Sequence, residues 1–197
     1  MTNAQTAQEK QQIKESFEVA LTTFNNILKA KQLNAFDVAD GNALCFVLSY
    51  LIYKGEDPGD ARLIKFRDYS RQQALKDRLY QGTTEAEKQA QYESRAFRTM
   101  LAVKARQQSK TGDAKAAAAA RSYAASILKE IYSSVPPEKI VLSNTTEWGF
   151  ADKGYEVIKS GDATNTFNRS KTVLKAAELA RQFYTTEASV KKFTGKI

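Results

Sequence analysis

The sequence predicts an all-α fold, with about six helices packed around a central buried helix near residues 34–54 and one very short strand near 140–142. Three observations carry that prediction. Only 3 prolines and 9 glycines occur in 197 residues, so few breakers interrupt the chain. Apolar residues recur at spacings of three and four over long stretches, which places them on one helical face. Helix-start signatures stand in front of several of these stretches. Apolar residues make up 42%, ordinary for a globular chain, so disorder is disfavoured except at the ends.

The elements follow in order. Ile13, Phe17, Ala20, Leu21, Phe24, Ile27 and Leu28 share a face and predict a helix over 9–31. In "LNAFDVADGNALCFVLSYLIYKGEDPG", Asn34 reads as an N-cap with Asp37 in the capping-box position. The pattern then turns apolar nearly all round (Leu44, Phe46, Val47, Leu48, Tyr50, Leu51, Ile52), which predicts a buried helix at the hub. Gly55 ends it, Asp57 caps the next helix and Pro58 occupies the first turn. That third helix is expected over 58–80, stopped by Gly82. Thr84 and Glu87 form a T-x-x-E capping box for a fourth, reaching about 110.

Asp113 caps a fifth helix, which includes the alanine run 116–120 and ends near 132. Pro136 and Pro137 break the series. Residues 140–142 read as a strand and "SNTTEWG" as a turn or loop. A final helix over 166–184 is expected to bury Val173, Leu174, Ala177, Ala180 and Phe183, followed by a fraying tail. The whole reads as one helical domain over 1–197, made of a helical core (9–135), an irregular segment (136–165) and a C-terminal helix and tail (166–197).

Composition narrows the chemistry. With one cysteine, Cys45, and no histidine, the chain lacks an internal disulfide, His-based triads and the common zinc spacings. No metal and no cofactor are expected. An enzyme built here would rely on Asp, Glu, Lys or Tyr. Cys45 lies in the apolar run and reads as a small core residue. That run, 43–53, is the longest, well short of the ~20 residues a spanning helix needs. The first residues hold no apolar signal core, which suits a soluble cytoplasmic protein as the chain stands. A periplasmic or secreted setting follows if a signal peptide has been removed, and both readings stay open.

The net charge of +8 is uneven. Residues 60–130 carry 15 basic and 8 acidic side chains, net +7. A bias of this kind attracts nucleic acid, an anionic surface or an acidic partner, and it also suits plain solubility.

Three groups of residues are candidate sites. Asp37 and Asp40 are three apart and share a helical face that becomes core at Leu44 and Leu48. They read as a cap in a favourable helix dipole, as one side of an ion-pair network with Arg67 and Arg71 of the next helix, or as a catalytic carboxylate pair. Asn34, Asp37, Asp40, Arg67 and Arg71 are thus the expected polar network.

The basic residues of the third helix form two stripes, Arg67, Arg71 and Arg78 on one side and Arg62, Lys65 and Lys76 on the other, flanking Leu63, Phe66, Ser70 and Ala74. Two stripes argue against a single groove-facing patch. Arg62, Lys65, Lys76, Arg95 and Arg98 are nevertheless the candidate polyanion ligands, with Tyr69, Tyr80, Tyr92 and Phe97 as stacking partners. Glu147 beside Trp148, with Asp152 five residues on, is a weak candidate for a general acid against an indole. A tryptophan anchoring a loop is the plainer reading.

The segment "NAFDVADGNALCFVLSYLIYKG" resembles the signature of an uncharacterised family of bacterial, often exported proteins of unknown function, whose members show an N-D-V-A-D-type helix start before an apolar helix. The likeness returns at 67–75 and 116–142 and spans about residues 10–150. It departs where two residues separate Asn34 from Asp37, and in the added C-terminal helix. The resemblance implies an exported setting and transfers no catalytic residue.

The reading that follows is a non-enzymatic protein-binding or accessory role, with a protein partner or self-association. The alternatives are a binder of nucleic acid or another polyanion through the basic middle third, and a carboxylate-based enzyme. The balance leans against an enzyme.

Overall fold

The structure is a computed structural model and describes residues 7–133 and 135–153. Helix α1 spans Ala7–Ala30, α2 Val38–Lys54, α3 Gly59–Lys76, α5 Glu85–Ser109 and α6 Ala114–Ile131, with a single turn, α4, at Arg78–Gln81. A 3-10 turn at Pro137–Lys139 leads into a small hairpin of β1, Ile140–Leu142, and β2, Phe150–Asp152. The fold is all-α with a minor strand pair, built on five long helices among the described residues. The helix expected over 166–184 lies outside them.

Helix α2 is the hub, as its all-round apolar sequence implies. Ala39 to Val47, Ser49, Tyr50 and Ile52 are buried, and α3, α5 and α6 pack around them. Helix α1 lies mainly along α5, with Phe24 and Leu28 fully buried. The four-residue turn after α5 folds α6 back along it. Ala102 and Ala105 there meet Ala120, Ala124 and Ile52 in a core of small side chains.

The hairpin closes the other side. β1 and β2 are antiparallel, pairing Ile140 with Asp152 and Leu142 with Phe150. Phe150 sits edge-on to Phe46 (centroids 4.9 Å apart) and to Tyr50 (5.3 Å). Phe46 itself stacks on Phe66 at 4.0 Å. These pairs hold the hairpin to the α2–α3 pair through apolar area and ring geometry.

Three helix boundaries differ from the sequence reading. α2 is capped by Asp37, not Asn34. Asp37 is extended (φ −83°, ψ 125°), and its Oδ1 accepts from the Ala39 and Asp40 N–H groups at 2.9 and 3.0 Å. The chain leaving α1 first passes through left-handed residues at Gln32 (φ 58°) and Phe36 (φ 69°) and buries Leu33 between them. Asn34 falls in that turn, so its spacing to Asp37 mimics a capping box without forming one.

Helix α3 does not run on to Tyr80. It stops at Asp77, which is extended (φ −81°, ψ 105°) and whose Oδ1 accepts from the Tyr80 N–H at 3.3 Å. A short carboxylate that bonds nearby backbone competes with helix continuation. Helix α3 also starts differently from the expected Asp57 cap: its N-cap is Pro58 (φ −68°, ψ −24°) with no side-chain cap, and Asp57 Oδ1 accepts instead from the Gly59 N–H at 2.9 Å, two residues on. The starts of α5 and α6 agree with expectation. The Thr84–Glu87 capping box is complete, and Asp113 Oδ1 accepts from the Ala116 N–H at 3.0 Å. Gly55 ends α2 at φ 80°, a conformation that glycine adopts without steric penalty.

Candidate functional site

The acidic pair sits where α2 begins. Arg71, from the middle of α3, donates through Nη2 to Asp37 Oδ2 at 3.0 Å and to Asp40 Oδ1 at 3.4 Å. The Asn34 N–H donates to Asp40 Oδ2 at 2.7 Å. Arg67 stands 3.9 Å from Asp40 and bonds Asp68 more closely, at 2.7 Å. Asp40 is 1% exposed. Burial pushes its carboxyl above the usual range, Asp37 adds to that rise, and the Asn34 N–H, Arg71 and Arg67 oppose it.

Both aspartates are thus engaged by backbone and guanidinium, and Asp40 offers no face to a substrate. Asp37→Ala is expected to lower stability by about 0.5–2 kcal/mol through loss of the cap. Arg71→Ala should have a smaller effect, since its side chain is 39% exposed. Thermal melts check both, and an unchanged midpoint for Asp37→Ala would remove the cap from the account.

A second site lies beside it, along the C-terminal half of α3. The break at Asp77 turns α4 inward and buries Tyr80 at 3% exposure. Between this turn, α3 and the facing parts of α2, α5 and α6 there is a cleft with a volume of about 60 Å³. Phe66, Tyr69, Ser70, Gln73 and Ala74 of α3 form one wall, with Asp77 and Tyr80 at its end. Asn42, Arg95 and Glu130 line it from α2, α5 and α6.

Those three residues are wired together. Arg95 Nε donates to Glu130 Oε1 at 2.7 Å, and Nη1 donates to Asn42 Oδ1 at 2.6 Å. Arg98 Nη2 donates to the other oxygen of Glu130. Arg95 and Glu130 are 4% and 11% exposed at the side chain. Burial alone would raise the Glu130 carboxyl. The guanidiniums of Arg95 and Arg98, by charge and by hydrogen bond, outweigh it and hold the group below the usual carboxylate range. Burial pushes the Tyr80 phenol up to about 12, against the nearby Arg95. The lining is therefore a fixed ionised network beside aromatic walls.

Sequence reasoning missed this site. Glu130 lies 35 residues from Arg95 and Asn42 lies 53. The available signal was local: Glu130 stands between the core residues Ile127 and Leu128 and the half-buried Ile131, a carboxylate at the edge of an apolar face, which is the pattern used for Asp37 and Asp40.

The remaining candidates scatter. Arg62 holds the hairpin loop, with Nε donating to the Gly149 carbonyl at 3.2 Å and Nη2 to Asn144 Oδ1 at 2.7 Å. Arg95 and Arg98 are turned inward to Glu130. Of the five candidate polyanion ligands, Lys65 and Lys76 are the exposed ones with no carboxylate partner among the described residues. Glu147 points to solvent, while Trp148 packs on Tyr69 with centroids 4.5 Å apart and anchors the loop. Asp152 has both carboxylate oxygens shielded, with no hydrogen-bond partner among the described residues, and burial raises its carboxyl. Among the described residues, no cluster of three or more Cys, Asp or Glu could hold a metal ion. No described helix is long and apolar enough to cross a membrane.

No curated protein and no solved structure matches the chain. The profile of a family of unknown function, DUF6683, matches residues 2–146. That span takes in α1 to α6, the hub helix, the acidic pair and the whole lining of the cleft, so on sequence and extent alike the chain belongs to this family of unknown function.

Proposed function

We propose that the protein is a non-enzymatic binding protein that seats one side chain of a protein partner, or of a second copy of itself, in the cleft at the end of α3. The cleft volume carries this reading. Pockets that enclose a whole small-molecule substrate measure roughly 300–1,000 Å³. This one, at about 60 Å³, holds about four waters or the end of one side chain. A buried anchor in a preformed pocket is how protein interfaces concentrate their binding energy.

The electrostatics favour binding over proton transfer. A general acid at neutral pH needs a raised pKa. Of the two carboxylates that line this cleft, Glu130 is held low, with both oxygens engaged by arginine, and Asp77 Oδ1 accepts from the Tyr80 N–H. An exported setting and a bacterial source, implied by the sequence resemblance, belong to the same proposal.

A photo-crosslinking residue in place of Gln73 tests it. The expected result is one reproducible protein adduct, or a dimer of this chain, that disappears in an Ala74→Trp variant of unchanged melting temperature. Equal labelling from a crosslinker at Glu18 on α1, or an adduct that survives Ala74→Trp, would sink the reading.

A further inference from the structure

The positive charge of the middle third is spent very unevenly. Arg67, Arg71, Lys88, Arg95 and Arg98 are all paired with carboxylates. From Lys104 to Lys129 the chain holds six basic residues and one acidic residue, Asp113, whose carboxylate is occupied in capping α6. Among the described residues, Lys104, Arg106, Lys110, Lys115 and Arg121 make no ion pair.

The fold brings two of these cations, Arg106 and Arg121, to the C-terminal end of α2. Arg106 Nη1 donates to the Ile52 carbonyl at 3.3 Å, and Arg121 lies 4.6 Å from the centre of the Tyr53 ring. Lys54 Nζ donates to the Glu138 carbonyl at 2.6 Å. Lys110 and Lys115 flank the turn that joins α5 to α6. At 1.5 Å per residue, the cations run roughly 10 Å along each helix, and Lys115 lies roughly 20 Å along α6 from Glu130 and the cleft. Between Lys115 and Lys129, α6 exposes the small side chains of Ala117, Ala118 and Ser122, and Tyr123 at 38% exposure.

We propose that this end of the α5–α6 hairpin, with Lys54, is a second binding site, and that it takes the phosphate backbone of a nucleic acid without reading its sequence. Unpaired cations at this spacing meet phosphates by releasing counterions. The small residues of α6 allow a polyanion to approach the helix surface, and Tyr123 offers a stacking face. A membrane surface fits less well, because a helix lying in lipid headgroups needs bulky apolar residues beside its cations. Here the exposed residues between the cations are alanine and serine, with Tyr123 the single large ring.

Fluorescence anisotropy with a labelled 20-base-pair DNA duplex tests this at 50 and 200 mM salt. With five phosphate contacts, affinity should fall roughly 500-fold between the two. Lys104→Glu, Lys110→Glu and Lys115→Glu together change exposed side chains that hold no structural contact, and should abolish binding at 50 mM. Lys29→Glu, Lys65→Glu and Lys76→Glu make the same change in net charge elsewhere and should leave most of it. Circular dichroism melts confirm that both variants fold. Absence of wild-type binding at 50 mM salt, or equal loss in both triple variants, overturns the proposal. So does tighter binding to phosphatidylserine vesicles than to the duplex.

Discussion

Glu130→Ala is expected to lower the stability of the protein by about 3–5 kcal/mol, because it leaves two guanidiniums beside α6 without their counter-ion. Arg95 has no alternative route to solvent, being 3% exposed. A typical domain has only about 5–15 kcal/mol of net stability, so the melting midpoint should drop by roughly 10 °C or more. Breaking one member of a buried ionic network is the costly change, whereas replacing the whole network by apolar residues of similar volume is often neutral. Glu130→Leu combined with Arg95→Met and Arg98→Met should therefore recover most of the loss. A Glu130→Ala variant within 1 kcal/mol of the parent in urea titration would mean that the network contributes little.

The same residue sets part of the response to acid. Its carboxyl is held below the usual 4.5 in the folded state. Its stabilising contribution is then complete above the unfolded pKa and is lost as the pH falls through the folded one. Asp40 works in the opposite sense. Its carboxyl is raised above 3.8 by burial, so its ionised form opposes folding at neutral pH and that penalty fades on acidification. Between roughly pH 5 and pH 3 the Glu130→Ala variant should lose less stability than the parent.

Gly41→Ala is the second large effect, and its sign is informative. In an open helix interior this change stabilises by about 1 kcal/mol, since alanine is the better helix former. Here a methyl group would lie 2.4 Å from Tyr92 Cε2 and 2.7 Å from Cδ2. The ring cannot step aside. Its hydroxyl donates to Asn25 Oδ1 at 2.6 Å and accepts from the Phe36 N–H at 3.2 Å, and the residue is 3% exposed. Overpacking of this kind typically destabilises by about 1–3 kcal/mol. In a Tyr92→Leu background the penalty should vanish and the helix-propensity gain should reappear. A more stable Gly41→Ala single variant would show that α2 and α5 can part freely.

Local rules reveal much of this fold and little of its cleft. The helices announce themselves because periodicity and caps act over a few residues: Thr84 with Glu87, Asp113 before the alanine run, Gly55 after Lys54. The start of α2 is displaced because Asn34 and Asp37 carry a capping-box spacing inside a turn that exists to bury Leu33. The end of α3 is hidden because no glycine or proline stands between Gly59 and Gly82, and the competing bond comes from one aspartate. β2 is hidden because Phe150, Ala151 and Asp152 include no β-branched residue, unlike Ile140 and Val141 of β1. The acidic pair is visible because its partners sit on the adjoining helix at a predictable phase. The cleft is not, since Asn42, Arg95 and Glu130 meet only once α2, α5 and α6 are packed.

The hub helix also carries the chain's single thiol. Cys45 is 2% exposed, and burial pushes its pKa to about 11, so at pH 8 it is both shielded and protonated. Thiol reagents attack the thiolate and need access to it. The unmodified protein therefore has a built-in unfolding clock: the rate at which an aromatic disulfide reagent labels it follows the opening of α2 from its neighbours. Because α2 touches α3, α5 and α6 at once, that rate approaches the frequency of global unfolding rather than of local fraying.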